Sequence, residues 1–138
     1  LIYFLVSILC MPIQLLGYVT TCTQGASGSF LTGATYSAPL LLLSLIVLTR
    51  KLNQKDDLNA PWWLIPTACL LLLTLVLTRD IWFDTLVYGS PCGPDYVGSP
   101  VTIGNGAIIT IAYLALPLAN VGFCMWLLVR QAIRIKNI

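Results

Sequence analysis

The chain has 138 residues, of which 58% are hydrophobic and 9% charged, and its formal net charge is +2. Soluble domains average roughly 45–50% and about 25% in those classes, so a soluble fold would not hide this much apolar surface, and the length suits one domain of a few helices. There is no His and no Glu, which excludes imidazole-dependent metal and haem sites and Ser-His nucleophilic catalysis, and no basic stripe offers itself to nucleic acid.

Lipid donates no hydrogen bonds to a backbone, so apolar runs of roughly 20 residues must cross it as helices. The sequence therefore predicts an all-α, polytopic integral membrane protein: a single domain, residues 1–138, with four transmembrane helices in a small bundle. The first span is expected at about residues 1–19. It is read as a retained helix rather than a signal sequence, because a basic n-region is missing and Tyr18-Val-Thr-Thr-Cys22 is a poor cleavage site. Ser7-Ile-Leu-Cys10 resembles a lipidation site only superficially, since bulky Leu9 stands where a small residue is expected. A polar turn at 20–29 leads to the second span, about 30–49, which ends on Arg50-Lys51. Asn59-Ala60-Pro61 reads as a helix start, Pro being tolerated in a first turn, and opens the third span at about 61–78.

Residues 79–100 contain Gly89, Pro91, Gly93, Pro94, Gly98 and Pro100, a density of breakers expected of a structured loop. Within it, residues 80–88 suit either a short interfacial helix or an extension of the third span. The fourth span, about 101–129, would be about 43 Å long, more than the roughly 30 Å hydrocarbon core, so it must tilt, kink at Pro117 or protrude. The similarity of PLLLLSLIVLTR (39–50) to CLLLLTLVLTR (69–79) is one of Leu-rich composition, because the two segments would cross in opposite directions.

Six of the seven Lys and Arg residues fall in 50–55 and 130–136, and only Arg79 opposes them. Basic residues stay on the cytoplasmic side, so both termini and the middle loop are expected there. Trp62, Trp63 and Trp126 would then mark the inner interface, and Tyr18, Tyr36, Trp82, Phe83 and Tyr88 the outer one.

At helical spacing the weakly polar residues form stripes: Tyr3, Ser7, Cys10, Gln14 and Gly17 in the first span; Gly33, Ser37 and Ser44 in the second; Thr67, Thr74 and Thr78 in the third; Gly106, Thr110, Tyr113, Pro117, Asn120 and Cys124 in the fourth. Such stripes either pack helices together or line a polar path, and packing is the expected use, with Ser and Thr bonding back to their own helices. Gln14 and Asn120 are singled out, since an amide at mid-membrane needs a partner. A second stripe on the last span, Asn105, Ala112, Ala115, Ala119 and Gly122, suits close contact with another helix or protein. Cys22 and Cys92 belong to the two outer loops and are expected to pair as a staple, while Cys10, Cys69 and Cys124 lie within spans.

A thiol-redox enzyme would need a second reactive pair to relay electrons, and each outer loop has one cysteine. A proton-coupled exporter would need an intramembrane carboxylate, and no Asp falls within a span. The expectation is a non-catalytic accessory or structural subunit, without cofactor, whose partners are membrane lipids and other integral membrane subunits. The alternatives are an immunity-type or regulatory protein binding a pore-forming partner, and a membrane thiol-disulfide oxidoreductase.

Overall fold

A computed structural model describes residues 1–24, 28–54, 62–94 and 103–136. Among them there is no strand. The elements are α1 (Ile2–Gln24), α2 (Ser29–Gln54), α3 (Leu64–Leu77), α4 (Arg79–Tyr88), α5 (Ile103–Thr110), a π-helical turn (Ile111–Ala115) and α6 (Leu116–Lys136). The last three form one continuous helix. The expected start at Asn59-Ala60-Pro61, and residues Lys55, Asp56, Asp57 and Asp95, lie outside the described residues.

Among the described residues three helical stretches, Ile2–Cys22, Ser29–Asn53 and Gly104–Lys136, are long and apolar enough to cross a membrane. The expected third span is different. α3 has 14 residues, about 21 Å, which is short of the hydrocarbon thickness on its own. It passes as a crossing only together with α4, from which it is bent by 47°. The bend falls at Thr78, whose φ of −96° and ψ of 11° leave the helical region; its Oγ1 donates to the Thr74 carbonyl at 2.7 Å, a bond back to the helix that Thr67 and Thr74 also make within α3. α4 is thus neither a straight extension nor a free interfacial helix, because Ile81 and Thr85 are buried and Ile81 packs with Ile109. Gly89 ends it with φ of 68°, a left-handed conformation natural to glycine, its N–H bonded to the Thr85 carbonyl.

The other boundaries run past the apolar segments: α1 reaches Gln24, α2 Gln54 and α6 Lys136. Hydrophobicity sets where lipid begins, but Arg, Lys and Gln are good helix formers, so the backbone ladder continues beyond it.

α1 packs chiefly on α2 and α3 chiefly on α6, with α1 also against α3 and α2 against the last helix. α1 and α6 therefore stand on one diagonal of the bundle. Three apolar layers fill it. Tyr3, Leu48, Leu64, Ala68, Cys124 and Leu127 form the layer at the end carrying Arg50, Lys51 and Arg130, here called the basic end. Cys10, Leu41, Leu71 and Val121 form the middle. Phe30, Ala34, Ile81, Ile109, Ala112 and Tyr113 close the opposite end, with Tyr18 and Trp82 against them. Beside that far layer Cys22 and Cys92 are joined as the expected disulfide, with Cα atoms 5.4 Å apart and a sequence separation of 70.

Candidate functional site

The polar stripe of α1 turns wholly inward: Tyr3, Ser7, Cys10, Gln14, Gly17 and Thr21 are all buried. At the basic end the Tyr3 hydroxyl crosses the bundle diagonal and donates to Asn120 Oδ1. Asn120 Nδ2 in turn donates to the Leu116 carbonyl at 2.8 Å, and the Cys124 thiol lies 4.0 Å from the same phenol oxygen. One turn along α1, Ser7 Oγ donates back to the Tyr3 carbonyl at 2.9 Å.

In the middle, Gln14 Nε2 donates to Ser37 Oγ at 3.1 Å and to the Ala112 carbonyl at 3.3 Å. That carbonyl is available for a reason written in the sequence. Pro117 has no N–H, and its ring would press on the carbonyl of residue 113 in an α-helix. The chain answers with the π turn, in which the Leu116 N–H reaches back five residues to the Ile111 carbonyl. In that register the donor owed to Ala112 belongs to residue 117, which is proline, and the Gln14 amide supplies the bond instead. Gln14 Oε1 is buried and has no hydrogen-bond partner among the described residues.

Toward the disulfide end, α1 and α2 cross at Gly17 and Gly33. A Cβ on Gly17 would stand 2.8 Å from the Ser29 carbonyl oxygen, and one on Gly33 2.8 Å from Tyr113 Oη. Tyr113 reaches into this crossing and donates to the Phe30 carbonyl at 3.1 Å. Thr21 Oγ1 accepts the Phe30 N–H at 2.9 Å, satisfying one of the unpaired donors at the start of α2. The stripe on α3 is simpler: Thr67, Thr74 and Thr78 donate to the carbonyls four residues back, at 2.7–2.9 Å.

The two amides singled out in the sequence do not meet. Asn120 belongs to the Tyr3 layer and Gln14 to the Ser37 layer. The small-residue stripe also divides. Ala112 is fully buried in the far apolar layer, whereas Ala115, Ala119 and Gly122 face outward and Asn105 is partly exposed. The π turn explains the split, since one residue more per turn swings the following helix face by about 100° relative to a regular helix. A straight-helix projection therefore misplaces Ala112. Sequence reasoning also passed over Tyr3 and Tyr113 as the cross-bundle ties. The available signal was a phenol at a stripe position in each of two helices that also carry an amide on that face. Cys10 and Cys124 are buried thiols and Cys69 is exposed. Among the described residues the one ion pair is Arg79–Asp80, solvent-facing at 3.2 Å.

A cleft of about 310 Å³ opens at the basic end between the first turn of α1 and the end of α2, lined among others by Tyr3, Ser44, Val47, Leu48, Lys51 and Trp63. Tyr3 and Trp63 form its aromatic wall, with ring centroids 5.9 Å apart. Comparison with known proteins gives no family-model match and no significant match among curated proteins or solved structures.

Proposed function

We propose that this chain is a non-catalytic accessory or structural subunit of the membrane, inserted with both termini cytoplasmic and packed against larger integral membrane proteins through the outward face of its last helix. The observation that carries the reading is the division of labour between the two faces of that helix. Inward, Asn120, Tyr113 and the Ala112 carbonyl are engaged with α1 and α2, so the polar stripe is used in holding the bundle. Outward, Ala115, Ala119 and Gly122 lie exposed, and a Cβ added at Gly122 would meet nothing within 4 Å. Small residues let helix backbones approach closely in lipid, where van der Waals contact and interhelical hydrogen bonds drive association.

Orientation follows from the basic end, which carries Arg50, Lys51, Arg130, Arg134 and Lys136 and is assigned to the cytoplasm by their charge. The disulfide then falls in an oxidising compartment, as a persistent bridge requires. The test is recovery of intact complex from membranes in mild detergent. Gly122→Leu, which thickens the outward face without touching the bundle, should release a partner, and Leu43→Ala on the exposed side of α2 should not. Full retention of every partner after Gly122→Leu would overturn the proposal.

A further inference from the structure

We propose that the cleft at the basic end is a seat for one anionic phospholipid, with the phosphate at Lys51 and an acyl chain lying along Val47 and Leu48 toward Ser44. The inference rests on the chain being membrane-embedded and is independent of any protein partner. The cleft's volume of about 310 Å³ is at the lower edge of small-molecule sites, and its lining grades from charged to apolar in one direction. Lys51 and Ser44 are seven residues apart on α2, about 10 Å along the axis, so the cation stands at the mouth and the aliphatic side chains lead inward from it. Trp63, across the cleft, follows Trp62 in the turn before α3, the depth at which indoles sit among headgroups.

Charge complementarity selects the headgroup. The Lys51 ammonium has no carboxylate partner among the described residues, where the salt bridge found is Arg79–Asp80 at another helix. The Trp63 indole N–H also has no protein acceptor among them; the hydrogen bonds at Trp63 are those its backbone carbonyl accepts from Thr67. Among the described residues that line the cleft none is acidic. A phosphodiester accepts from an ammonium, whereas the choline of a zwitterionic lipid places a second cation in the same region. Ser44 is already bonded to the Leu41 carbonyl at 2.8 Å, so the deep end offers an acyl chain no unsatisfied donor.

Native mass spectrometry of the full chain in mild detergent tests this, titrating dioleoyl phosphatidylglycerol and, separately, dioleoyl phosphatidylcholine. Phosphatidylglycerol should give a saturable single adduct that phosphatidylcholine matches only weakly. Lys51→Gln should weaken it about fivefold, the effect of one basic residue near an anionic surface. Lys51→Arg should retain it, as should Lys136→Gln at the far end of α6. Val47→Trp, at an exposed position, should block the adduct by filling the cleft while circular dichroism shows the helices intact. Equal binding of the two lipids, or an adduct unchanged by Lys51→Gln, overturns the proposal. A failure of the partner proposal would be read separately, from co-purification with Gly122→Leu.

Discussion

Gly33 and Gly122 are both helical glycines, and they are opposite in what surrounds them. At Gly33 a methyl would stand 2.8 Å from Tyr113 Oη and 3.0 Å from the Ile13 carbonyl oxygen, in a crossing where backbone, not a flexible side-chain end, supplies part of the obstruction. Gly33→Ala should therefore destabilise the bundle by about 1–3 kcal/mol, the usual range for overpacking. Adding Tyr113→Phe should recover part of that loss by removing the nearer atom, despite losing the bond to Phe30. Gly122→Ala, with open space around it, should be neutral or stabilising, by up to about 1 kcal/mol from helix propensity. Unfolding by denaturing detergent followed by circular dichroism measures all three. Equal destabilisation at the two glycines would contradict the packing described. The sequence made Gly17 and Gly33 visible as small positions on polar stripes, but their partner Tyr113 is 80 residues from Gly33 and 96 from Gly17, and no local pattern announces which side chain will fill a crossing.

At the scale of elements, the apolar runs foretold three helices well, because length and composition are what lipid demands of a span. They foretold the third crossing less well. The expected span, about 61–78, stopped at Thr78, but α3 has only 14 residues and passes as a crossing only together with α4, across a 47° bend. A departure of φ and ψ at one residue leaves no mark in hydropathy. The π turn was similarly hidden: Pro117 was read as a site of kinking, but whether a chain kinks or widens a turn depends on what donates to the displaced carbonyl, here the Gln14 amide from another helix. The disulfide was legible from topology alone, since it required only that Cys22 and Cys92 lie at the same end. Because it ties the end of α1 to the segment after α4, replacing both cysteines by serine should loosen that end while leaving the Tyr3–Asn120 layer in place. The chain-entropy estimate for a loop of this length is about 4 kcal/mol at most, less where a membrane already restrains the unfolded chain. Hydrogen exchange should rise in α4 and the end of α1 in the double variant; a uniform rise along all helices would show that the bridge supports the whole bundle instead.

For the whole molecule, the arrangement of charge and packing gives a bundle with two unlike ends. The first turn of α1, the end of α2, the start of α3 and the latter part of α6 meet in one apolar layer, which places the two described termini of the chain at the same end. Reporter fusions after Ile138 should give a cytoplasmic signal and insertions within residues 25–29 an external one, and an external C-terminus would reject the orientation. The proposed partner requires the outward face of α6 to meet protein rather than lipid. A photo-crosslinking residue at position 119, in native membranes and without overexpression, tests it most directly, with the same residue at position 43 on α2 for comparison. A discrete protein adduct is expected from position 119 and none from position 43. Adducts to lipid alone at both positions would contradict it.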